Sequence, residues 1–227
     1  QMCIRDRGHR CNGGAFGGNP PCMAPAGSRM LITIEGIDGC GKSTLMSGLQ
    51  TALADLAPLF TREPGSTWIG DQVRRGIAEE IDPIAEALLF VADHAAHIAE
   101  VIRPALAGHR LVISDRYSDS RYAYQQVTLA PLVPEPLSWL RSVHGGWTIR
   151  PDRTYLLTMP IADALARLDG KDGREHFERA EVLETVQKNY LALAEEDPQR
   201  FVIVDALQER EKICSFIAGD IRNLWQW

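Results

Sequence analysis

The stretch Gly36-Ile37-Asp38-Gly39-Cys40-Gly41-Lys42-Ser43-Thr44 constrains this chain more than any other. It fits the pattern G-x-x-x-x-G-K-[ST], a glycine-rich turn whose backbone N–H groups curl around phosphate oxygens where a helix begins and its dipole favours negative charge. The apolar run Leu31-Ile32-Thr33-Ile34 before it reads as a buried strand, and Leu45, Leu49, Leu53 and Leu56 after it recur at helical spacing. Strand, glycine loop and helix in that order argue for a phosphate loop and against a chance turn. Residues 36–44 are therefore expected to bind a nucleoside triphosphate. Lys42 would carry a point charge to its β- and γ-phosphates, and the Ser43 hydroxyl would ligate Mg²⁺.

Further strand-like runs follow at 58–61, 111–115, 154–159 and 201–205, joining the one at 31–35. Helical patterns separate them at about 44–57, 68–80, 84–106, 161–169, 176–196 and 208–224. Short apolar strands alternating with helices predict an α/β chain: a P-loop NTPase-type three-layer fold, its five-stranded parallel sheet covered by helices on both faces. The 227 residues suffice for one such domain, expected over 30–227, with the Pro-rich stretch 131–136 a loop rather than a boundary. Residues 1–29 show no period and little to bury. They read as a disordered extension or an upstream-translation artefact, with Met30 standing where a start would fall.

The net charge of −6 divides unevenly: the first 29 residues hold four Arg and one Asp, leaving −9 for the remainder. An acidic body argues against a nucleic-acid partner. No apolar run approaches the roughly 20 residues that span a bilayer, and no signal peptide is recognisable, so no membrane partner is expected. The five cysteines include no C-x-x-C pair, which favours a reduced, cytoplasmic protein over a zinc site.

Ligands of parallel sheets lie beyond the carboxyl ends of the strands, so the segments following each strand carry the chemistry. After the second comes Thr61-Arg62-Glu63-Pro64-Gly65, and after the third Asp115-Arg116-Tyr117-Ser118-Asp119-Ser120-Arg121-Tyr122-Ala123-Tyr124-Gln125. Asp115 stands where a Mg²⁺-positioning carboxylate is needed, and Arg116 can fork onto a phosphate. In the long helix, Leu88-Leu89-Phe90-Val91-Ala92-Asp93-His94 puts Phe90 and His94 on one face. Taken singly, Phe90 and Tyr124 would be packing residues, Asp115 a helix cap and Glu63 a surface partner of Arg62. Their recurrence after successive strands favours function.

Together, Glu-Gly-Ile-Asp-Gly-Cys-Gly-Lys-Ser-Thr (35–44), Thr-Arg-Glu-Pro-Gly (61–65), Leu-Leu-Phe-x-Ala-Asp (88–93) and Asp-Arg-Tyr-x-x-Ser-x-x-Ala-Tyr-Gln (115–125) resemble thymidylate kinase, from about Met30 to the C-terminus and most like its archaeal members. The resemblance implies transfer of the γ-phosphoryl group of Mg²⁺·ATP to dTMP. It implies that Asp38 approaches the sugar 3′-OH and acceptor phosphate, Phe90 stacks on thymine, Arg116 grips the acceptor phosphate with Ser120 beside it, and Tyr124 lies against the deoxyribose. Glu63-Pro64 matches the loop that closes beside the substrate, and the family usually forms homodimers, for which the 84–106 helix is a candidate interface. Two positions depart from the common pattern. His94 stands where many members have an arginine, so base reading is expected to be shared between His94 and Arg121. The phosphate loop itself has no arginine, so the catalytic cation is expected in a lid at about 167–178, with Arg174 preferred over Arg167 because it lies beyond Gly170 and Gly173. A deoxynucleoside kinase, a nucleotide-dependent switch without turnover and a DNA-associated ATPase remain as alternatives.

Overall fold

The computed structural model of the chain describes residues 29–168, 177 and 179–225. The expectations for the N-terminal tail and for most of the lid, Arg174 included, lie outside the described residues.

Five parallel strands form one sheet: β1 (Met30–Gly36), β2 (Leu59–Arg62), β3 (Leu111–Asp115), β4 (Arg153–Thr158) and β5 (Phe201–Asp205), in the order β2-β3-β1-β4-β5. The helices are α1 (Lys42–Ala52), α2 (Trp68–Ala78), α3 (Pro83–His97), α4 (Arg103–Ala107), α5 (Ser118–Leu129), α6 (Pro136–His144), α7 (Ile161–Leu168), α8 (Ala180–Glu196) and α9 (Arg210–Trp225). The expected α/β architecture with an all-parallel sheet is what the chain forms. Because strand side chains alternate, neighbouring residues of β1 serve different layers. Ile32 and Ile34 join Ile113 in a core with Leu45 and Leu49 of α1 and Ile213, Ile217 and Ile221 of α9. Leu31 and Val112 instead pack against Ile98, Ile102, Ala105 and Leu106 on the other face.

The helix expected over 84–106 runs as α3, a π-helical turn at Ile98–Ile102 and α4. Pro104 supplies the physical reason for the widened turn, since proline has no N–H to donate and crowds the carbonyl four residues earlier. Asp82 caps the start, its carboxylate accepting the N–H groups of Ile84 and Ala85 at 3.0 Å each. Two helices had no counterpart in the sequence reading. α5 buries Ser118, Asp119, Ser120, Arg121 and Gln125 beside Ala123, Tyr124 and Leu129, so polar residues interrupt the apolar stripe that announces a helix. α6 begins at Pro136, whose ring suits the first helical position even though the preceding stretch reads as loop.

Candidate active site

The carboxyl ends of β1, β2 and β3 face two adjoining cavities. The larger, about 1000 Å³, is lined by the glycine loop from Asp38 to Thr44, by Asp115, Arg116 and Arg167, and by the start of α9. The smaller, about 220 Å³, is lined by Asp38, Pro64, Arg74, Ile77, Phe90, Arg116, Ser120, Arg121, Tyr124, Gln125 and Phe177. Asp38 and Arg116 belong to both and form the wall between them.

The loop owes its shape to glycines at two tight approaches. Gly36 has φ +139°, and a Cβ there would lie 2.4 Å from the Leu157 carbonyl oxygen; Gly39 has φ +81°, and a Cβ would lie 2.4 Å from that of Ala164. Both conformations exclude ordinary L-residues. Lys42 is folded against the loop, its Nζ donating to the carbonyls of Gly36 at 3.0 Å and Ile37 at 2.9 Å. Ser43 and Thr44 are exposed on the floor of the larger cavity, whereas Cys40 is buried and packs close to Gly36. Arg167, at the end of α7, reaches over the loop: its Nη1 would sit 3.7 Å from a Cβ on Gly41.

Asp115 ends β3, and its buried Oδ1 has no hydrogen-bond partner among the described residues. A hard oxygen left unpaired at the edge of the cavity that Ser43 also lines fits a Mg²⁺, which prefers oxygen ligands and is commonly held by one or two protein oxygens.

Arg116 follows immediately, with a left-handed backbone (φ +66°) that costs a non-glycine residue about 1–2 kcal/mol. Hydrogen bonds on both sides hold it there: its N–H donates to the Ile34 carbonyl at 3.0 Å, and the Ser114 hydroxyl donates to its carbonyl at 2.7 Å. This turn swings the guanidinium across the end of β1. Nη1 donates to the Gly36 carbonyl at 3.2 Å and lies 3.3 Å from the Ser120 hydroxyl, while Nη2 pairs with Asp38 Oδ1 and lies 3.2 Å from the Tyr124 hydroxyl. Tyr124 donates to Asp38 Oδ2 at 2.7 Å. Burial by itself would raise the Asp38 pKa; the charges of Arg116 and Lys42, together with the hydrogen bonds, overcome it and hold the carboxyl down at about 2.

Beneath Arg116 lies Glu35, fully buried at the end of β1. It accepts the Tyr117 N–H at 2.7 Å, the Ser120 hydroxyl at 2.6 Å and the Tyr190 hydroxyl at 2.8 Å. Burial and the neighbouring Asp119 raise its pKa to about 7 against the lowering effect of those donors and of Arg116.

One side of the smaller cavity is formed by Phe90 with the Arg121 guanidinium 5.1 Å above its ring. Phe177 closes another side, edge-on to Tyr124 with ring centroids 5.5 Å apart. His94 does not line this cavity. It is fully buried one layer behind, where its Nδ1 donates to the Glu63 carboxylate at 2.9 and 3.0 Å. Glu63 is likewise buried, away from Arg62, and it is Pro64 that reaches the cavity across a cis peptide bond.

Arg74, Ile77, Gln125 and Phe177 are cavity residues the sequence reading did not single out. Arg74 comes from α2 and donates to the Pro64 carbonyl at 2.9 Å, a tertiary contact that no local spacing announces. Gln125 was legible as the last residue of the 115–125 motif.

Comparison with known proteins gives a consistent answer. The family model described as thymidylate kinase matches residues 34–217. A probable thymidylate kinase of Methanoculleus marisnigri is 66% identical over 193 residues, 85% of this chain and 94% of that protein. One from Methanospirillum hungatei is 60% identical over 191 residues (84% and 92%), and one from Natronomonas pharaonis 44% identical over 196 residues (86% and 98%).

Proposed function

Because this chain belongs to the thymidylate kinase family, the enzymes that convert dTMP to dTDP with ATP as phosphoryl donor, we propose how its residues divide that reaction. The larger cavity takes ATP and the smaller takes dTMP. One observation carries this reading: Asp38 and Arg116 are common to both cavities, so two ligands lying one in each would bring their phosphates together at that wall. In the transfer, an oxygen of the dTMP phosphate bonds to the γ-phosphorus, the bond to the β,γ-bridging oxygen breaks, and ADP leaves. The acceptor is anionic at neutral pH and needs no dedicated base.

Residues 36–44 cradle the donor phosphates, and Lys42 exchanges its loop carbonyls for phosphate oxygens. Ser43 and Asp115 would hold Mg²⁺, which supplies charge neutralisation to the phosphates. Arg116 grips the acceptor phosphate with Arg74 nearby, and Ser120 steadies Arg116. Tyr124 packs against the sugar and Asp38 takes the 3′-OH, while Phe90 and Arg121 receive thymine. Arg167, which faces the donor cavity alone of the two, is the described lid cation suited to the transferring group. Arg174 is proposed as its partner from beyond the lid glycines. Thymine selection then falls to Arg121 and the packing around Phe90, with His94 acting indirectly through Glu63.

Residues 30–227 form one catalytic unit in this reading, and the enzyme works as a cytoplasmic homodimer. Ile84 and Leu88, four residues apart on α3 and both exposed, are apolar positions available for such a pairing. Among the described residues no helix is long and apolar enough to cross a membrane.

The test is ADP release from Mg²⁺·ATP with dTMP, dUMP, thymidine or no acceptor. Turnover strongly favouring dTMP is expected. Preference for thymidine would reassign the smaller cavity to a nucleoside, and acceptor-independent turnover would overturn the two-cavity reading.

A further inference from the structure

Behind the acceptor cavity lies a buried polar cluster that takes no part in the phosphoryl transfer itself but ends on Arg121. Glu63 is its centre. Oε1 accepts from His97 Nδ1 at 2.6 Å and from His94 Nδ1 at 2.9 Å, and Oε2 from Arg121 Nη2. The outer ring nitrogens are engaged too, His97 Nε2 lying 2.6 Å from the Thr61 hydroxyl and His94 Nε2 3.4 Å from that of Thr148. Glu63, His94, His97 and Arg121 are all buried, in a region where one missing partner would leave a costly unpaired group. Burial alone would raise the Glu63 pKa; the charges of His94 and Arg121 and the histidine hydrogen bonds hold it well below the usual carboxylate range.

The frame ends on Arg121, the one member that also lines the acceptor cavity. A guanidinium is planar and carries donors only. Nη2 is tied to Glu63 and Cζ lies 5.1 Å from the centre of the Phe90 ring, so the frame fixes where the guanidinium sits. Its Nε–H is buried and has no partner among the described residues. A donor-only group held rigidly at the base end of the cavity favours a ring carbonyl and disfavours a ring amino group, which would set donor against donor.

Resting on the assignment of the smaller cavity to a pyrimidine monophosphate, we propose that Glu63, His94 and His97 are positioning residues that hold Arg121 as a fixed donor selecting a 4-oxo over a 4-amino pyrimidine. The two histidines, which never reach the cavity, thus act on specificity through the carboxylate they share.

The test is steady-state kinetics of the full chain at saturating ATP, with dTMP and dCMP as acceptors and thermal melting as a check on folding. Glu63→Gln and His97→Leu should raise KM for dTMP about tenfold or more, with a smaller change in kcat and none in KM for ATP, and lower the dTMP-to-dCMP ratio of kcat/KM at least about tenfold. His97→Asn keeps an N–H where Nδ1 stood and should retain most of the ratio. An unchanged ratio in folded Glu63→Gln and His97→Leu would overturn the inference, as would equal losses for the two acceptors. Should those variants fail to fold, Arg121→Lys, a point charge without the fork, should lower the same ratio; its failure to do so would overturn the inference equally. The underlying assignment fails separately, if the unaltered chain does not phosphorylate dTMP or if Arg116→Lys leaves both dTMP constants untouched.

Discussion

Arg116 concentrates more demands than any other side chain described above. Its backbone is left-handed, its guanidinium touches Gly36, Ser120, Tyr124 and Asp38, and both cavities share it. Lysine retains the charge but loses the planar fork, so Arg116→Lys should lower kcat/KM for dTMP about 10²-fold or more while KM for ATP changes less. The two carboxyls nearby, Asp38 half-buried and Glu35 fully buried, respond oppositely to pH. Asp38, lowered from 3.8 to about 2, contributes stability that is present above its ordinary pKa and is lost on acidification toward 2. Glu35, raised from 4.5 to about 7, contributes stability that is complete below 4.5 and is lost as pH climbs through 7. Glu35→Gln removes that second dependence. Its stability relative to the unaltered chain should therefore improve by on the order of 1–3 kcal/mol between pH 5 and pH 8, measured by urea unfolding. At this scale the motifs around Asp38, Phe90, Arg116 and Tyr124 point to residues that do meet in one cavity. They could not reveal that His94 faces away from it, because a helical period gives the side of a helix but not what stands between that side and a ligand.

Among the elements, the phosphate loop and α7 meet backbone to backbone. A Cβ on Gly39 would lie 2.4 Å from the Ala164 carbonyl oxygen in a backbone region hostile to alanine, so neither partner can yield cheaply. Gly39→Ala should cost about 1–3 kcal/mol in stability and raise KM for ATP, with KM for dTMP affected less; calorimetry and initial rates check both. The strands and most helices were legible because their burial is apolar and one-sided or complete, as in Leu111–Ile113. α5 was not, because it spends most of its buried face on polar residues, Ser118, Asp119, Ser120, Arg121 and Gln125. Its polar interior is what brings it against Glu35, Arg200 and Glu63, so the trait that hid the helix is the one that builds the site.

For the molecule as a whole, the parallel order β2-β3-β1-β4-β5 sets the phosphate loop beside the end of β3, and the chemistry follows from that adjacency. If α3 is the interface of the homodimer proposed above, the sedimentation mass should be twice that of the chain and Leu88→Lys, at an exposed position of α3, should shift it toward the monomer.

The wall between the cavities is one ion pair thick. Whatever draws Arg116 toward one ligand loosens its hold on Asp38 and alters what the other ligand meets. With one nucleotide in each cavity, as proposed, their affinities should be linked, and thermodynamics requires any such linkage to be mutual: the factor by which bound ATP changes the dissociation constant of dTMP is the factor by which bound dTMP changes that of ATP. A single molecule joining both nucleosides through a phosphate chain would span that wall and inherit both affinities at once, with the best chain length a direct measure of its thickness.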